Sequence, residues 1–363
     1  GHFMVFMTQT PQFIEGVQFA YMGQQGVLGR YPLHFHVCGE ANQSHVVRKN
    51  AIVYSKQRCV VIHATSNMTI EDTVTYESKG HCFLVEEGSE NNNVFRRNLG
   101  ISVRKVKVVI PSKESYDKHT DDKPSTFWMA NPNNDYIDNV AAGSEDSGYW
   151  TELKEGMRGL SQLLPNARNM HPIETKFGTY SGNVAHSAKF GFRSYPHGMF
   201  PYAPGARVTL SNFLIYRNEV GMFLHITRLM TIQSSTFIDN GLSIHIKTDT
   251  GIVVDRCRFI GRTQACPGGG SRAKAASLTA AATPAQLSAM GSDFHTPDFG
   301  PTTDWQAPGL VGTGLEDRLG NAAASSSKPT RAVAKPAGVP SGSRPLAQFS
   351  SFGTCRAATA SHS

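Results

Sequence analysis

Short strands with alternating inward and outward positions recur about every 23 residues in this chain. Four copies end on a polar residue, and they read YPLHFH (31–36), RCVVIH (58–63), HCFLVE (81–86) and TFWMAN (126–131). Repeats of this length are typical of stacked architectures, in which equivalent positions lie above one another. The pattern therefore predicts one column of side chains, formed by His36, His63, Glu86 and Asn131.

The parity of these strands predicts which way the column faces. Apolar residues stand one and three positions before it, namely Phe35, Ile62, Val85, Ala130, Leu33, Val60, Phe83 and Trp128. Because side chains alternate between the two sides of a strand, we expect this set to line the core. The column then faces outward to the surface, together with its partners two residues earlier, His34, Val61, Leu84 and Met129.

The repeat predicts an all-β fold, a right-handed parallel β-helix of about eight to ten rungs. Further strands of the same kind occur at 136–150, 180–194, 210–226, 232–246 and 253–261, and no long stretch has apolar residues at helical spacing. A β-sandwich or barrel is the alternative, but such folds rarely keep register over so many copies.

Two changes in composition divide the chain. Residues 102–125 are polar and charged, and they form either a long loop or one rung with a shorter loop. Residues 262–363 are rich in Ala, Ser, Gly and Pro, a composition that buries too little apolar surface to fold. We therefore expect a β-helix domain over 1–261 and a disordered tail over 262–363.

Charge and targeting signals restrict the class of partner. The formal net charge is +7, and residues 262–363 hold nine Lys or Arg against five Asp or Glu, so the excess is not clustered in the repeats. This argues against a nucleic-acid partner. No apolar run is long enough to span a bilayer. The chain starts with Gly and has no signal peptide, which suggests a fragment or a processed product.

Glycosylation and cysteine patterns bear on the compartment. Asn42 and Asn67 begin N-glycosylation sequons in predicted turns, which favours secretion of a glycoprotein weakly. The six cysteines form neither a disulfide framework nor a CxxC metal site. Cys59 and Cys82 are equivalent repeat positions, and they stack either reduced or bridged.

Several strings in the first 150 residues resemble one superfamily. They are GRYPLHFH (29–36), NAIVYSKQRCVVIH (50–63), GHCFLVEEG (80–88), STFWMANPNN (125–134) and AAGSEDSGYW (141–150). In this order they resemble the β-helix region of the superfamily that contains CEMIP, its transmembrane hyaluronidase relative and fibrocystin-L. The resemblance is specific from about Val17 to Trp150 and looser to about Gly261.

The resemblance implies an extracellular or cell-surface protein in which a G8 domain precedes this region. In the hyaluronan branch it implies calcium-assisted depolymerisation of hyaluronan, whereas the fibrocystin-L branch implies a non-catalytic receptor or adhesion module. Family members tend to have Glu-Asp-Gly where this chain has Glu86-Glu87-Gly88, and His-Gly where it has His63-Ala64. An added methylene can misplace a functional carboxylate by about 1 Å.

The column also suggests a metal site. Neighbouring rungs lie about 4.8 Å apart, so His36, His63 and Glu86 can share a divalent ion. Two imidazoles and a carboxylate favour a transition metal, whereas the resemblance implies calcium. A solvated ladder of hydrogen-bonded side chains is the alternative.

Two reactions on a uronate-containing polysaccharide such as hyaluronan fit the residue types. Hydrolysis needs paired carboxylates, for which Glu86, Glu87, Glu145 and Asp146 are candidates. Elimination needs a base and a cation, for which His34 or His36 with Arg30 or Arg58 would serve. We assign catalysis to His36, His63, Glu86, Glu87 and Arg30, and substrate contact to His34, Arg58, Asn131, Asn133, Asp146 and Trp150. Turn roles for Arg30, Glu145 and Asp146 remain alternatives.

Aromatic and late-rung histidine residues are weaker candidates. Trp128 has inward parity and is expected in the core. Tyr149 and Trp150 have opposite parities, so at most one of them meets a ligand on the outer face. His225 and His245 are expected to be strand residues without chemistry.

Overall fold

The computed structural model describes residues 1–111, 120–165, 167–200, 207–247 and 251–261, without the side chains of 41–43. These ranges contain two short 3-10 helices, Gly159–Leu163 and Pro172–Glu174. The strands are, in chain order, β1 (Met4–Phe6), β2 (Phe13–Glu15), β3 (Gln18–Ala20), β4 (Leu33–Arg48), β5 (Ala51–Val53), β6 (Val60–Glu71), β7 (Val74–Lys79), β8 (Phe83–Val85), β9 (Val94–Arg96), β10 (Leu99–Arg104), β11 (Ser125–Met129), β12 (Asp135–Ile137), β13 (Val140–Ser144), β14 (Ser147–Thr151), β15 (Tyr180–Ser181), β16 (Val184–His186), β17 (Phe190–Ser194), β18 (Val208–Ser211), β19 (Leu214–Tyr216), β20 (Val220–His225), β21 (Met230–Gln233), β22 (Thr236–Ile238), β23 (Leu242–Lys247), β24 (Val253–Asp255) and β25 (Arg258–Ile260).

Every pairing between these strands is parallel. Three strand segments make one rung, and β4 and β6 each supply two of the three without a break. The described residues thus form nine rungs with three faces. We define the first face as β1, β8, β11, β14, β17, β20 and β23 with the N-terminal halves of β4 and β6. The third face is the nine-stranded sheet from β3 to β25. The predicted parallel β-helix is confirmed.

Stacked inward side chains form the core. Phe83 stacks on Phe127 with ring centroids 5.0 Å apart, and Phe127 stacks on Tyr149 at 4.8 Å. The predicted inward residues of the first three copies all lie in this core, namely Leu33, Phe35, Val60, Ile62, Phe83 and Val85. Burying one such side chain contributes about 1.5–3 kcal/mol to stability.

The fourth copy lies one residue out of the predicted register. Phe127, not Trp128, pairs with Phe83, so Ala130 follows opposite Glu86 and Asn131 falls one position beyond the column. Phe127 and Met129 therefore point inward, and Trp128 points outward. The prediction was wrong here because the run from Phe127 to Met129 is apolar at every position, as expected for a strand buried on both sides.

A second apolar cluster covers the outer side of the first face. It joins three outward residues of successive rungs, Val61, Leu84 and Trp128, to Trp150, Tyr31 and Ile110, all at most 4% exposed. Ile110 comes from the chain between β10 and β11. The outward direction of this face is thus as predicted, but much of it is buried rather than solvated.

β11 pairs directly with β8, which leaves no place for an additional rung in the segment between β10 and β11. Residues 112–119 of this segment and the predicted tail, 262–363, lie outside the described residues. In the ranges that the structure describes, no helix is long and apolar enough to cross a membrane.

Asparagine side chains connect successive rungs at the turn before the third face. Asn98 N donates to Asn139 Oδ1, and Asn139 N donates to Asn183 Oδ1, each at 3.0 Å. The Asn139 amide also donates to Phe95 O at 2.9 Å. These side chains are at most 1% exposed, so they satisfy turn backbone groups that water cannot reach.

We expect Asn139→Ala to lower the free energy of unfolding by about 1–3 kcal/mol, because it leaves buried backbone groups unpaired. Asn240→Ala is the matched control at the half-buried end of the same kind of ladder. Urea unfolding measures both variants. An equal loss for the two substitutions would contradict the structural role of the interior ladder.

Candidate functional site

Three imidazole rings meet on the outer side of the first face. His36 of β4 pairs in register with His63 of β6, and His34 lies two residues before His36 on the same side of its strand. Glu86 follows β8, and its N–H donates to Ile62 O at 3.0 Å. The predicted column of His36, His63 and Glu86 is therefore present on consecutive rungs.

A chain of close polar contacts runs through His63. Its Nδ1 lies 2.8 Å from His36 Nδ1, and its Nε2 lies 2.8 Å from Glu87 Oε2, an ion-pair contact without the angle of a hydrogen bond. The Glu87 carboxylate also accepts hydrogen bonds from the backbone N–H groups of Leu160, at 3.1 Å, and Ser161, at 2.7 Å. Glu87 is thus fixed from a separate segment of the chain.

Glu90 fixes the turn that presents these carboxylates. It is fully buried and accepts hydrogen bonds from the N–H groups of Ala64, Glu87 and Gly88, at 2.8, 3.2 and 2.7 Å. Burial raises the pKa of Glu90, partly offset by the charge of His63 and by these backbone donors. The sequence analysis missed Glu90, and its only signal was a further acidic residue in EEGSE (86–90).

The surroundings shift the pKa values of His63 and His36 in opposite directions. Burial lowers the pKa of His63, but the contact with Glu87 and the charges of Glu86, Glu87 and Glu90 outweigh it and raise the pKa to about 9. Burial and the neighbouring His63 charge lower the pKa of His36. At neutral pH, His63 is therefore protonated and His36 is neutral.

His34 is a neutral imidazole with a free lone pair. Its Nδ1 lies 3.1 Å from Gly29 O, a pure acceptor, so Nδ1 carries the proton. Burial lowers the pKa of His34 to about 4. Its Nε2 is buried without a hydrogen-bond partner among the described residues.

The donor set of the three histidines fits a transition-metal ion. One nitrogen from each of His34, His36 and His63 lies within 4.8 Å of the others. A neutral imidazole is a preferred ligand of Zn²⁺, whereas calcium takes six to eight oxygen ligands. This group contains His34 and not Glu86, and the metal set of His36, His63 and Glu86 stays a prediction.

Arg58 is buried and contacts Glu86, Tyr31 and Asp121. Its Nη1 donates to Glu86 Oε1 at 2.6 Å and to Tyr31 Oη at 3.0 Å, and its Nη2 lies 3.2 Å from Asp121 Oδ2. Arg58 is only 2% exposed. These contacts correct the expectation of a substrate contact, because the guanidinium is enclosed and already paired. Arg58 positions Glu86.

The same pairing keeps Glu86 ionised. Burial raises its pKa, but the charges of Arg58 and His63 and the hydrogen bond from Arg58 outweigh this and lower the pKa to about 2. Glu86 therefore cannot serve as a protonated acid at neutral pH.

Asn131 and Asn133 support the turn rather than line the surface. Asn131 Nδ2 donates to Gly88 O at 2.7 Å, and Asn131 Oδ1 accepts from Asn133 N at 2.8 Å. Asn131 is 1% exposed. Asn133 Nδ2 donates to Asn92 Oδ1 on the adjacent turn at 3.2 Å. The expected substrate contact of Asn131 is corrected, because a buried amide that spans two turns cannot reach a ligand.

Asp146 and Trp150 are enclosed two rungs beyond Glu86. Asp146 Oδ2 lies 2.7 Å from Arg193 Nη1, and the Arg193 guanidinium lies 3.4 Å above the Trp150 ring. Trp150 is 2% exposed and donates through Nε1 to Tyr195 O at 2.7 Å. Sugar contact by Trp150 and substrate contact by Asp146 are therefore both corrected.

Arg30 and Glu145 lie in turns. Arg30 is exposed, and its Nη1 donates to Gln24 Oε1 at 2.8 Å while its backbone carbonyl accepts from Gln24 N. Glu145 Oε2 accepts from Lys105 N at 2.7 Å. Both geometries match the turn alternatives considered from the sequence.

We expect Asp121→Asn to lower the free energy of unfolding by about 3 kcal/mol at neutral pH, because it leaves the buried Arg58 charge underpaired. Burial raises the pKa of Asp121, but Arg58 and His81 outweigh it and hold the pKa below its usual value. This stabilisation is present above the unfolded pKa of Asp and is lost as the pH falls through the folded value.

Urea unfolding from neutral pH to about pH 3 tests the Asp121 prediction, because the variant should lose less stability on acidification than the native chain. Asp72→Asn is the control, since Asp72 pairs with Arg97 at the surface. A native acid dependence in Asp121→Asn would contradict the buried pair.

Comparisons with known proteins show relatives of this chain. A cell surface hyaluronidase from Danio rerio is 33% identical over 210 residues, 52% of this chain and 15% of the relative. The cell migration-inducing and hyaluronan-binding protein from Homo sapiens is 36% identical over 213 residues, with the same two shares of 52% and 15%. Fibrocystin-L from Homo sapiens is 32% identical over 174 residues, 48% of this chain and 4% of the relative.

This chain therefore spans at most 15% of the length of these three relatives. The sequence model of one family, described as CEMIP beta-helix, matches residues 1–192, which is more than half of the chain and includes every residue of the histidine cluster. The chain belongs to the CEMIP beta-helix family.

Proposed function

We propose that this domain binds and depolymerises a uronate-containing polysaccharide of the hyaluronan type at the cluster of His34, His36, His63, Glu86 and Glu87. The observation that carries the proposal is the contact chain from His36 through His63 to Glu87, with two distances of 2.8 Å. The hyaluronan-related names of two relatives support the substrate class.

The contact chain supplies an acid next to a base. His63 is protonated at neutral pH and directs its Nδ1 proton at His36 Nδ1, so half-buried His36 can take that proton while it gives the proton of its other ring nitrogen to a glycosidic oxygen that leaves. Glu86 is ionised and can accept a proton from the substrate or from water. Glu87 holds the protonated His63 in place, as a carboxylate partner orients a catalytic imidazole.

Two routes use this pair. In elimination, Glu86 removes the C5 proton of the uronate, the C4–O bond breaks, and His36 protonates the departing oxygen as it takes the Nδ1 proton of His63. In hydrolysis, a carboxylate of the cluster activates water, and His36 again protonates the leaving oxygen as it takes the Nδ1 proton of His63. Glu86 is ionised, so it fits the role of base or electrostatic stabiliser and not that of acid.

A transition-metal ion at the same histidines is an alternative to this proton transfer, because His63 must lose its extra proton to bind a metal. His34, His36 and His63 would hold it, because the pKa values of His34 and His36 are lowered and His34 Nε2 has no other partner among the described residues. Such an ion supplies Lewis-acid polarisation of a substrate oxygen when bound. Glu86 and Glu87 would stabilise its charge as they now stabilise the charge of His63.

The proposed location is the cell surface or the extracellular space. Cys59 and Cys82 form a disulfide between equivalent positions of neighbouring rungs. Disulfides persist in oxidising compartments and are rare in the cytosol. A non-catalytic receptor or adhesion module of the fibrocystin-L kind is the second candidate, and the match to that relative supports it.

We expect the native chain to shorten fluorescent hyaluronan, and His63→Ala and Glu87→Gln to slow this by about 100-fold or more. Glu15→Gln should retain the native rate, because Glu15 pairs with Arg48 and Lys49 on the first rung. Gel filtration gives the rate, and ultraviolet absorbance of unsaturated ends separates elimination from hydrolysis. No shortening by the native chain would favour the non-catalytic candidate.

We expect the native chain to bind Zn²⁺ and His34→Ala to bind it at least about tenfold more weakly. Isothermal titration measures this without any activity readout. His186→Ala is the control, because His186 stacks on Tyr216 on the third face. Equal affinity of His34→Ala and the native chain would remove the metal from the proposal and leave the acid–base pair in place.

A further inference from the structure

The outer side of the first face carries a group of rings beyond the candidate site. In register, Trp150 pairs with Arg193, Arg193 with Phe223 and Phe223 with His245. The adjacent outward positions on the last three rungs are Tyr195, His225 and Lys247. The outward column that begins at His34 and the one that begins at His36 therefore both continue along the axis of the β-helix.

The rings of this group contact one another across three rungs. Tyr195 lies 5.3 Å from His225 and 6.2 Å from Phe223, and Phe223 lies 5.0 Å from His245, measured between ring centroids. Phe223 is 9% exposed, whereas Tyr195 is 43% exposed. Phe223 thus forms the base of the group, and the other three rings remain accessible in the described part of the chain.

The accessible charges around these rings are mainly positive. Lys247 is exposed and pairs in register with His225, and Lys189 Nζ lies 5.5 Å from the Phe190 ring, which packs on Phe223. Exposed Glu219 follows Lys189 on the next rung, and Glu152, one rung before Tyr195, pairs with Arg158 at 3.0 Å. Asp146 contributes little negative charge, because Arg193 pairs with it at 2.7 Å.

We propose that Tyr195, His225, His245 and Lys247 form a second glycan-binding platform, which holds an anionic polysaccharide chain where it extends from the histidine cluster along the helix axis. This platform rests on the proposed function. Apolar faces of sugar rings pack on exposed aromatic rings, and Lys247 complements the uronate carboxylates. His225 and His245 act as neutral rings, so they have a role that the sequence analysis did not assign.

The separation between the two sites sets the length of ligand that can use both. Tyr195 lies three rungs after Glu86, which corresponds to about 14 Å along the axis. A short oligosaccharide therefore occupies the histidine cluster alone, whereas a long one reaches the platform. Chain length becomes the variable that separates the two sites.

The test measures fluorescence anisotropy of labelled hyaluronan oligosaccharides of two lengths, a tetrasaccharide-sized probe and one several times longer. Binding is measured on the full chain in the Glu87→Gln background, so that cleavage does not shorten the probe. We expect Tyr195→Ala to weaken binding of the long probe by about 3- to 10-fold and to leave the short probe unchanged. Tyr195→Phe keeps the ring and should bind as the parent does.

Tyr216→Ala is the matched control, because Tyr216 is a half-buried tyrosine on the third face. Lys247→Gln should reduce the salt dependence of long-probe binding. If the parent binds the long probe and Tyr195→Ala binds it equally well, the platform is wrong and the proposed function stands. If neither the parent nor the native chain binds either probe, the proposed function fails and the platform with it.

Discussion

Parallel pairing in register is the constraint on which the rest of this structure depends. Each rung repeats the path of the one before it, so an outward side chain has the equivalent side chain of the next rung about 4.8 Å away. His36 and His63 are 27 positions apart in sequence, yet this constraint brings their Nδ1 atoms to 2.8 Å. The same register carries the outward columns onward to Tyr195 and His245.

The second apolar cluster, on the outer side of the first face, shields the histidine cluster from water and so helps to shift the pKa values of its residues. Side chains that would titrate normally in water are held by the second apolar cluster and by backbone from other segments, and Coulomb interactions are stronger there than in solvent. Arg58 connects Glu86 of the site to Asp121, because its guanidinium contacts both carboxylates. A buried pair of this kind contributes more to fixed geometry than to net stability, since both groups lose their hydration.

Local pattern predicted much of this molecule. Period and parity were enough for the parallel β-helix and for the outward direction of His36 and His63, because alternation along a strand is a local property. The register of TFWMAN (126–131) could not be predicted in this way, since a strand buried on both sides has no polar position to mark it. Asn131 was misplaced for that reason, and Trp128 was assigned to the wrong side of the sheet.

The repeat period and strand alternation could not predict contacts between residues far apart in sequence. Arg58 donates to Asp121, which is 63 positions away in sequence. The repeat pattern does not extend to Asp121, so it could not predict this contact. Glu87 is held by Leu160 and Ser161 from a segment with no repeat character. His34 was visible as an outward residue, but its orphaned Nε2 follows from burial and from the Gly29 carbonyl, which only the folded chain reveals.

The most direct measurement of the central claim is nuclear magnetic resonance of the ¹⁵N-histidine-labelled chain during titration with a hyaluronan oligosaccharide. The account predicts that His63 carries protons on both ring nitrogens at neutral pH, and that the oligosaccharide shifts the signals of His36 and His63 while His186 on the third face stays unchanged. Unperturbed His36 and His63 signals at saturating oligosaccharide, or equal shifts at His186, would contradict a glycan site at this cluster.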